Sequence, residues 1–168
     1  MDTTIEPARP EEKPALERLL QLYLHDFSSL APQESRFGHI GEDGRIADDT
    51  LERYWRPGRQ AFSIRADGHR AGFALVNDWA PSGGKPDQVL AEFFVARKYR
   101  RCGVGRAAAH ALFRQLDGTW ELAVTTYNAP ALLFWRRTLA SLQDYAVVES
   151  AGDGQRWKGP IFRLTPVR

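Results

Sequence analysis

One segment constrains this chain more than any other: residues 89–113, which read VLAEFFVARKYRRCGVGRAAAHALF. Its first part, Val89–Val95, is apolar apart from Glu92, as expected for a central strand that is covered on both faces. A basic turn with two glycines follows, and from Val104 onwards the apolar residues have helical spacing. The segment therefore predicts a buried strand, a tight turn and a helix that packs on the sheet.

The turn between this strand and this helix has the chemistry of an anion-binding site. The first amides of a helix have no partner within the helix and lie at the positive end of its dipole, so a phosphate group fits there. Gly103 and Gly105 leave room for a phosphate to touch the backbone. Five basic residues lie within ten positions: Arg97, Lys98, Arg100, Arg101 and Arg106. Neither GxxxxGKS/T nor GxGxxG is present, so common nucleotide-binding loops are excluded.

The rest of the chain places helices and further strands around this segment. The spacing of Leu16, Leu20, Tyr23 and Phe27 predicts an amphipathic helix, and Gly72 indicates a bulge or a close backbone approach. Apolar runs between turn residues predict strands at 3–6, 61–65, 70–78, 120–125, 145–149 and 157–165, with further helices at about 48–55 and 128–139. Because only one strand–helix–strand unit requires a crossover, we expect a mixed α/β sheet.

Composition narrows the class of protein. A chain of 168 residues with 43% hydrophobic and 26% charged residues fits one folded domain, which we expect to span residues 1–168. The single cysteine, Cys102, excludes a disulfide framework, and the four scattered histidines predict no metal site. No apolar run is long enough to span a bilayer. The first ten residues lack the pattern of a signal peptide, so we expect a cytoplasmic protein.

Charge gives little support to a nucleic-acid binder. The formal net charge is only +2, although 19 of the 23 basic residues are arginines. We expect most of these arginines to reflect composition, and no zinc-finger, RNP-like or clear helix-turn-helix signature is present. A nucleic-acid binder therefore ranks low among the alternatives, and it would predict a steep salt dependence of binding.

Two motifs resemble one family. Residues 100–105, RRCGVG, are similar to the Q/R-x-x-G-x-G/A motif of the GNAT superfamily of N-acetyltransferases, and residues 128–135, NAPALLFW, resemble its N-x-x-A-x-x-L/F-Y segment. The resemblance in motif covers about residues 89–139. Within the superfamily, the AEFFV strand and the FWR helix resemble those of an uncharacterised bacterial subgroup. This resemblance does not indicate a substrate. The implied fold is a mixed, mostly antiparallel sheet that splays between strands 4 and 5, flanked by helices.

The resemblance implies a binding site for acetyl-coenzyme A as co-substrate. The backbone of Phe93, Phe94 and Val95 would pair with the pantetheine arm like an added strand, and the amides of residues 101–106 would hold the pyrophosphate. Asn128 would contact the cofactor arm, although an asparagine there also suits a helix N-cap. The implied cofactor-binding residues are Phe93, Phe94, Val95, Arg100, Arg101, Cys102, Gly103, Val104, Gly105, Arg106, Asn128 and Trp135.

The implied reaction needs a base and gives no obvious acid. Glu92 is the candidate general base, because it is a lone carboxylate in an apolar strand; the alternative is that it pairs with a neighbouring arginine or caps backbone groups. Trp135 stands where the family has a tyrosine, and an indole N–H is not a usable acid. Tyr127 or water would then protonate the leaving thiolate. Tyr23 and Phe27 fall near the implied acceptor cleft, but core packing is their simpler interpretation.

The resemblance thus implies an acetyl-coenzyme A-dependent N-acetyltransferase, in which a small-molecule or peptide amine attacks the thioester directly. Backbone amides at the end of the Val89–Val95 strand would polarise the thioester carbonyl. The alternative is a sensor or scaffold of the same fold that binds coenzyme A without turnover, which Trp135 favours slightly. The sequence predicts no nucleic-acid partner and no membrane partner, and it leaves a monomer and a homodimer both open.

Overall fold

A computed structural model describes residues 1–33, 35, 37–46 and 51–167 of the chain. The strands are Thr3–Pro7 (β1), Gln60–Ala66 (β2), His69–Asn77 (β3), Gln88–Val95 (β4), Trp120–Ala123 (β5), Tyr145–Ala151 (β6) and Pro160–Pro166 (β7). The α-helices are Lys13–Ser28 (α1), Val104–Gln115 (α2) and Ala129–Ala140 (α3). Short 3-10 helices cover Pro10–Glu12, Leu51–Trp55 and Arg97–Tyr99.

The seven strands form one sheet in the order β1-β2-β3-β4-β5-β7-β6. The neighbouring strands are antiparallel except β4 and β5, which run parallel and are joined through α2. These two strands pair only from Gln88 to Leu90 on β4, opposite Trp120 to Leu122 on β5. Beyond Leu90 they separate, while β4 continues to Val95. The mixed, mostly antiparallel sheet with a splay between strands 4 and 5 is therefore confirmed.

Each face of the sheet carries its own apolar core. Leu112 of α2 and Leu139 of α3 pack with Trp120 of β5 on one face. On the other face α1 buries Leu16, Leu20 and Leu24, one turn apart, against Phe73, Leu75 and Phe94. Fully burying a side chain of this size contributes about 1.5–3 kcal/mol, so each helix is held by its own apolar stripe. Helix α1 thus lies on the opposite face of the sheet from α2 and α3.

A β-bulge in β4 sets the direction of its side chains. Glu92 lies opposite Leu75 and Leu90 lies opposite Val76, so Ala91 is an extra residue without a partner in β3. As a result Leu90 belongs to the core under α2 and α3, whereas Glu92 points to the α1 face. The sequence predicted the strand Val89–Val95 but not the bulge within it.

The close approach predicted at Gly72 is confirmed. A Cβ atom at this position would lie 1.9 Å from the carbonyl oxygen of Phe94, so only glycine fits between β3 and β4. The register of β2 and β3 also shifts beside Gly72, where Ile64 pairs with Gly72 and Arg65 pairs with Arg70. Ala71 is the extra residue of this second bulge.

Several element boundaries differ from the sequence prediction. The last strand begins at Pro160 rather than at 157, because the side chain of Asp153 accepts backbone hydrogen bonds from Gln155 and Arg156 and folds this stretch into a turn. The helix predicted at 48–55 begins outside the described residues, and its described part is the 3-10 helix Leu51–Trp55. Across the described residues, no helix combines the length and apolarity needed to cross a membrane.

Candidate active site

A cleft of about 240 Å³ lies where β4 and β5 separate. Residues from both faces of the sheet line it. Helix α1 contributes Tyr23, Leu24 and Phe27, whereas α3 contributes Ala131, Trp135 and its N-cap Asn128. Because α1 and α3 lie on opposite faces, the cleft passes through the sheet at the splay. Two ligands that enter from opposite faces can therefore meet beside β4, at Glu92 and Phe93.

The turn before α2 has the backbone geometry of an anion site. Arg101 and Gly103 both adopt left-handed conformations, with φ values of 62° and 88°. The first backbone N–H of α2 that bonds back into the helix is that of Ala107, which donates to the carbonyl of Gly103. The amides of Val104, Gly105 and Arg106 precede it, and within the described chain no side chain caps them. These donors at the positive end of the helix suit a phosphate.

Glycine is favoured at positions 103 and 105 for two different structural reasons. A Cβ atom at Gly103 would meet nothing within 4 Å, so glycine is favoured there by its left-handed backbone. A Cβ atom at Gly105 would lie 3.0 Å from the ring of Phe134. The space left by Gly105 is thus filled by α3, rather than by the phosphate that the sequence analysis placed there. The role of its amide stays a prediction.

Arg97 and Arg100 connect the turn to α1. The Arg97 guanidinium donates to Asp26 Oδ1 at 2.9 Å, and that of Arg100 donates to Asp26 Oδ2 at 2.6 Å. Partial burial alone would raise the pKa of Asp26, but the hydrogen bonds from both arginines outweigh it and hold the pKa below its usual value. Arg100 also donates to the carbonyl of Val95 at 2.6 Å. Of the five basic residues in the predicted cluster, these two are therefore already paired with a carboxylate.

Glu92 lies in the cleft beside a tyrosine of α1. The hydroxyl of Tyr23 donates a hydrogen bond to Glu92 Oε2, and its ring contacts those of Phe27, Phe73 and Phe94. Burial, reinforced by the charge of Glu92, raises the pKa of Tyr23 well above its usual value. Tyr23 is therefore a fixed hydrogen-bond donor, in addition to the core residue that the sequence predicted.

The backbone of β4 divides between its two edges. The amide of Ala96 donates to Ala71 of β3 at 2.8 Å, and the two-residue alternation of a strand then points the backbone of Phe94 to β3 as well. The carbonyl of Phe94 next to Gly72 agrees with this direction. The backbone groups of Phe93 and Val95 face the splay instead. Of the three residues predicted to pair with pantetheine, these two present their polar groups to the cleft.

The residues at the start of α3 have the following places. Asn128 is the N-cap, since its Oδ1 accepts from the amide of Ala131 at 3.2 Å, and its contact with the cofactor stays a prediction. Trp135 is only 6% exposed and packs edge-to-face against Phe93 at 5.2 Å between ring centroids, so it belongs both to the core and to the cleft wall. Tyr127 is partly exposed, with its ring 5.8 Å from that of Phe27.

Cys102 and the candidate metal ligands complete the description of the site. Cys102 is exposed, and its thiol donates to the carbonyl of Tyr99 at 3.0 Å. In the described part of the chain, no group of three or more His, Cys, Asp or Glu side chains is arranged to hold a metal ion.

Comparison with known proteins agrees with this architecture. The structure is similar to an acetyltransferase from Thermus thermophilus, with a TM-score of 0.64, 18% sequence identity, and coverage of 99% of this chain and 98% of that one. The PaiA N-acetyltransferase of Thermoplasma acidophilum, in complex with coenzyme A, gives a TM-score of 0.58 at 14% identity, with 98% and 99% covered. The ribosomal-protein-S18-alanine N-acetyltransferase of Escherichia coli gives a TM-score of 0.57 at 15% sequence identity, with 99% of this chain and 94% of that one covered.

At these identities the structural similarity shows the fold alone. No curated protein sequence matches the chain. The profile of the acetyltransferase (GNAT) family, however, matches residues 16–140, which is well over half of the chain and includes most of α1, β4, the turn before α2 and α3. The chain belongs to the acetyltransferase (GNAT) family, whose chemistry is acyl transfer.

Proposed function

We propose that this protein is an acetyl-coenzyme A-dependent N-acetyltransferase, formed by one domain, in which an amine attacks the thioester directly in a ternary complex. The observation that carries the proposal is the cleft through the splay. On the α1 face it presents the carboxylate of Glu92, and on the α2/α3 face it opens beside the edge of β4 that leads to the anion-binding turn. The thioester and the amine would therefore enter the cleft from opposite faces of the sheet and meet beside β4.

The residues present fit acetyl-coenzyme A as co-substrate. The left-handed turn and the uncapped amides up to Arg106 suit its pyrophosphate. Beyond Leu90, β4 has no pairing with β5, so its backbone offers donors and acceptors to an extended amide-containing arm. Phe93 and Val95 face this edge, and the carbonyl of Val95 already accepts from Arg100. Pairing with the pantetheine arm therefore falls mainly on Phe93 and on the amide of Val95.

Acetyl transfer requires one proton to leave the amine and another to reach the sulfur. As the amine nitrogen bonds to the acetyl carbon and the carbon–sulfur bond breaks, Glu92, or a water it holds, accepts the amine proton. Tyr23 keeps its own proton because its pKa is raised, and its hydrogen bond holds the carboxylate in place. Trp135 cannot act as an acid. Tyr127 or water supplies the proton to the thiolate, which is a fairly good leaving group.

A coenzyme A-binding sensor is the second candidate function, because the residue that stands for the family tyrosine is a buried tryptophan packed on Phe93. A buried indole gives the site no acid, and binding alone needs none. A cytoplasmic location, a homodimer and the class of amine, small molecule or peptide, stay predictions.

One experiment separates the two candidates. Acetyl-coenzyme A is titrated by calorimetry, and thiol release is then followed with a panel of primary amines. An N-acetyltransferase binds the thioester and releases thiol in proportion to one or more amines, with the N-acetyl product found by mass spectrometry. Tight binding with no amine-dependent release across the panel contradicts the enzyme and favours the sensor. Failure to bind acetyl-coenzyme A contradicts both.

A further inference from the structure

The hydroxyl of Thr125 is buried in the wall of the cleft without a hydrogen-bond partner among the described residues. Such groups are rare in native proteins, since leaving a buried polar atom unpaired costs free energy. Threonine is not needed for shape at this position, because valine has the same shape without the hydroxyl. An unpaired hydroxyl in a ligand cleft therefore indicates a partner that arrives with the ligand.

The position of Thr125 assigns it to the acceptor half of the cleft. Leu122 and Val124 belong to the core under α2 and α3, so alternation along β5 and its extension turns Ala123 and Thr125 towards the α1 face. Glu92 points to the same face from β4. The two polar groups thus lie on either side of the splay. For the hydroxyl, which is buried in the wall, to reach a ligand in the cleft, the side chain must change between staggered χ1 positions.

The other residues that line this half are aromatic. Tyr23, Phe27 and Phe37 line the cleft, with ring centroids 5.8 Å apart for Tyr23 and Phe27 and 5.1 Å apart for Phe27 and Phe37. These rings offer a flat apolar surface beside the two polar groups. A carboxylate on the acceptor would be repelled by Glu92, and a second ammonium group would lose its hydration against the rings.

We propose that Thr125 is the second polar group of the acceptor subsite, and that this subsite binds a primary amine attached to an apolar or aromatic body. The amine nitrogen lies between Glu92 and the Thr125 hydroxyl, and the body packs on Tyr23, Phe27 and Phe37. The inference rests on the proposed function, because it assumes that the amine enters from the α1 face.

The test compares Thr125→Val, which removes the hydroxyl, with Thr125→Ser, which keeps it. Binding of 2-phenylethylamine to the protein–coenzyme A complex is measured by calorimetry, together with the affinity for coenzyme A and the melting temperature. We expect Thr125→Val to weaken amine binding about tenfold, as loss of one hydrogen bond predicts. Its coenzyme A affinity stays unchanged and its melting temperature is equal or higher, because an unpaired buried hydroxyl is removed. Thr125→Ser keeps most of the amine affinity.

Equal amine affinity in Thr125→Val and the original protein overturns the proposal, as does a clear drop in melting temperature, which would make the hydroxyl structural. Tighter binding of spermidine or glutamate than of 2-phenylethylamine overturns the substrate class. Because the readout is binding, its result is independent of turnover: Thr125-dependent amine binding without thiol release contradicts the proposed enzyme and leaves the subsite in place.

Discussion

The two halves of the cleft are built in different ways. The cofactor half depends on a contiguous stretch, residues 100–106, whose backbone forms the anion-binding turn. The acceptor half is assembled from residues far apart in the chain: Tyr23 bonds to Glu92 across 69 positions, and Thr125 follows the end of β5. A local turn tolerates change in its surroundings, whereas a subsite of distant side chains depends on the whole fold. In the proposed function, the first half binds acetyl-coenzyme A and the second half determines which amine reacts.

The largest expected effect lies at the meeting point of the halves. Glu92→Gln keeps the size of the side chain and a hydrogen-bond acceptor for Tyr23, but it cannot take a proton. We expect kcat for amine acetylation to fall about a hundredfold or more, which is the contribution of a general base. The dissociation constant of acetyl-coenzyme A, measured by calorimetry, stays the same. An unchanged kcat in Glu92→Gln would show that Glu92 is not the general base.

A glycine pair tests the cofactor half alone. Gly103 and Gly154 both have left-handed backbones, with φ values of 88° and 78°, and neither has an atom within 4 Å of an added Cβ. Alanine at either position should lower the free energy of unfolding by about 1–2 kcal/mol. Only Gly103→Ala should also weaken acetyl-coenzyme A binding, by about tenfold, because relief of the strain at φ 88° would turn the amides of the turn away from the phosphate, and one such hydrogen bond is worth ~1.5 kcal/mol. Equal cofactor affinities in the two variants would place the pyrophosphate elsewhere.

The ion pairs of Asp26 with Arg97 and Arg100, which connect α1 to the turn before α2, should have a smaller and pH-dependent effect on stability. The folded-state pKa of Asp26 is lowered, so its ion pairs stabilise the protein above the unfolded-state pKa of about 4 and are lost as the pH falls through the lower folded value. Asp26→Asn should therefore reduce stability at neutral pH, by less than about 1 kcal/mol because Arg97 and Arg100 are largely exposed. Thermal unfolding at pH 7 and pH 3 measures the effect. A loss of the same size at both pH values would exclude the ion pairs as its cause.

The smallest expected effect concerns the proton for the thiolate. Tyr127→Phe removes the hydroxyl and keeps the ring contact with Phe27. Because the thiolate is a fairly good leaving group, we expect kcat to fall less than about tenfold, with unchanged binding of both substrates. A fall of about a hundredfold or more would make Tyr127 a required general acid.

The contrast between contiguous and distant residues also explains which features could be predicted from the sequence. The strand, the turn and α2 were predicted because their signals are local: an apolar run, glycines and helical spacing. The role of Asn128 as N-cap followed in the same way, and the splay came with the family resemblance. Apart from the splay, all of these concern residues that are close in the chain.

The acceptor half could not be predicted from local signals. The bulge at Ala91 turns Glu92 to the α1 face, yet nothing in the letters around Ala91 marks it. Tyr23 has the helical spacing of a core residue, and its bond to Glu92 depends on where α1 crosses β4. The pairing of Asp26 with Arg97 and Arg100, and the unpaired hydroxyl of Thr125, also appear only in three dimensions.

The proposed reaction depends on one cleft through the sheet, which brings the thioester from the α2/α3 face to Glu92 on the α1 face. A crystal structure of the protein with coenzyme A tests this arrangement. We expect the pyrophosphate on the amides of the turn up to Arg106, the pantetheine arm along Phe93 and Val95, and the sulfur in the splay within reach of Glu92 directly or through one water. A sulfur outside the splay, or a pyrophosphate away from this turn, would contradict the proposed reaction.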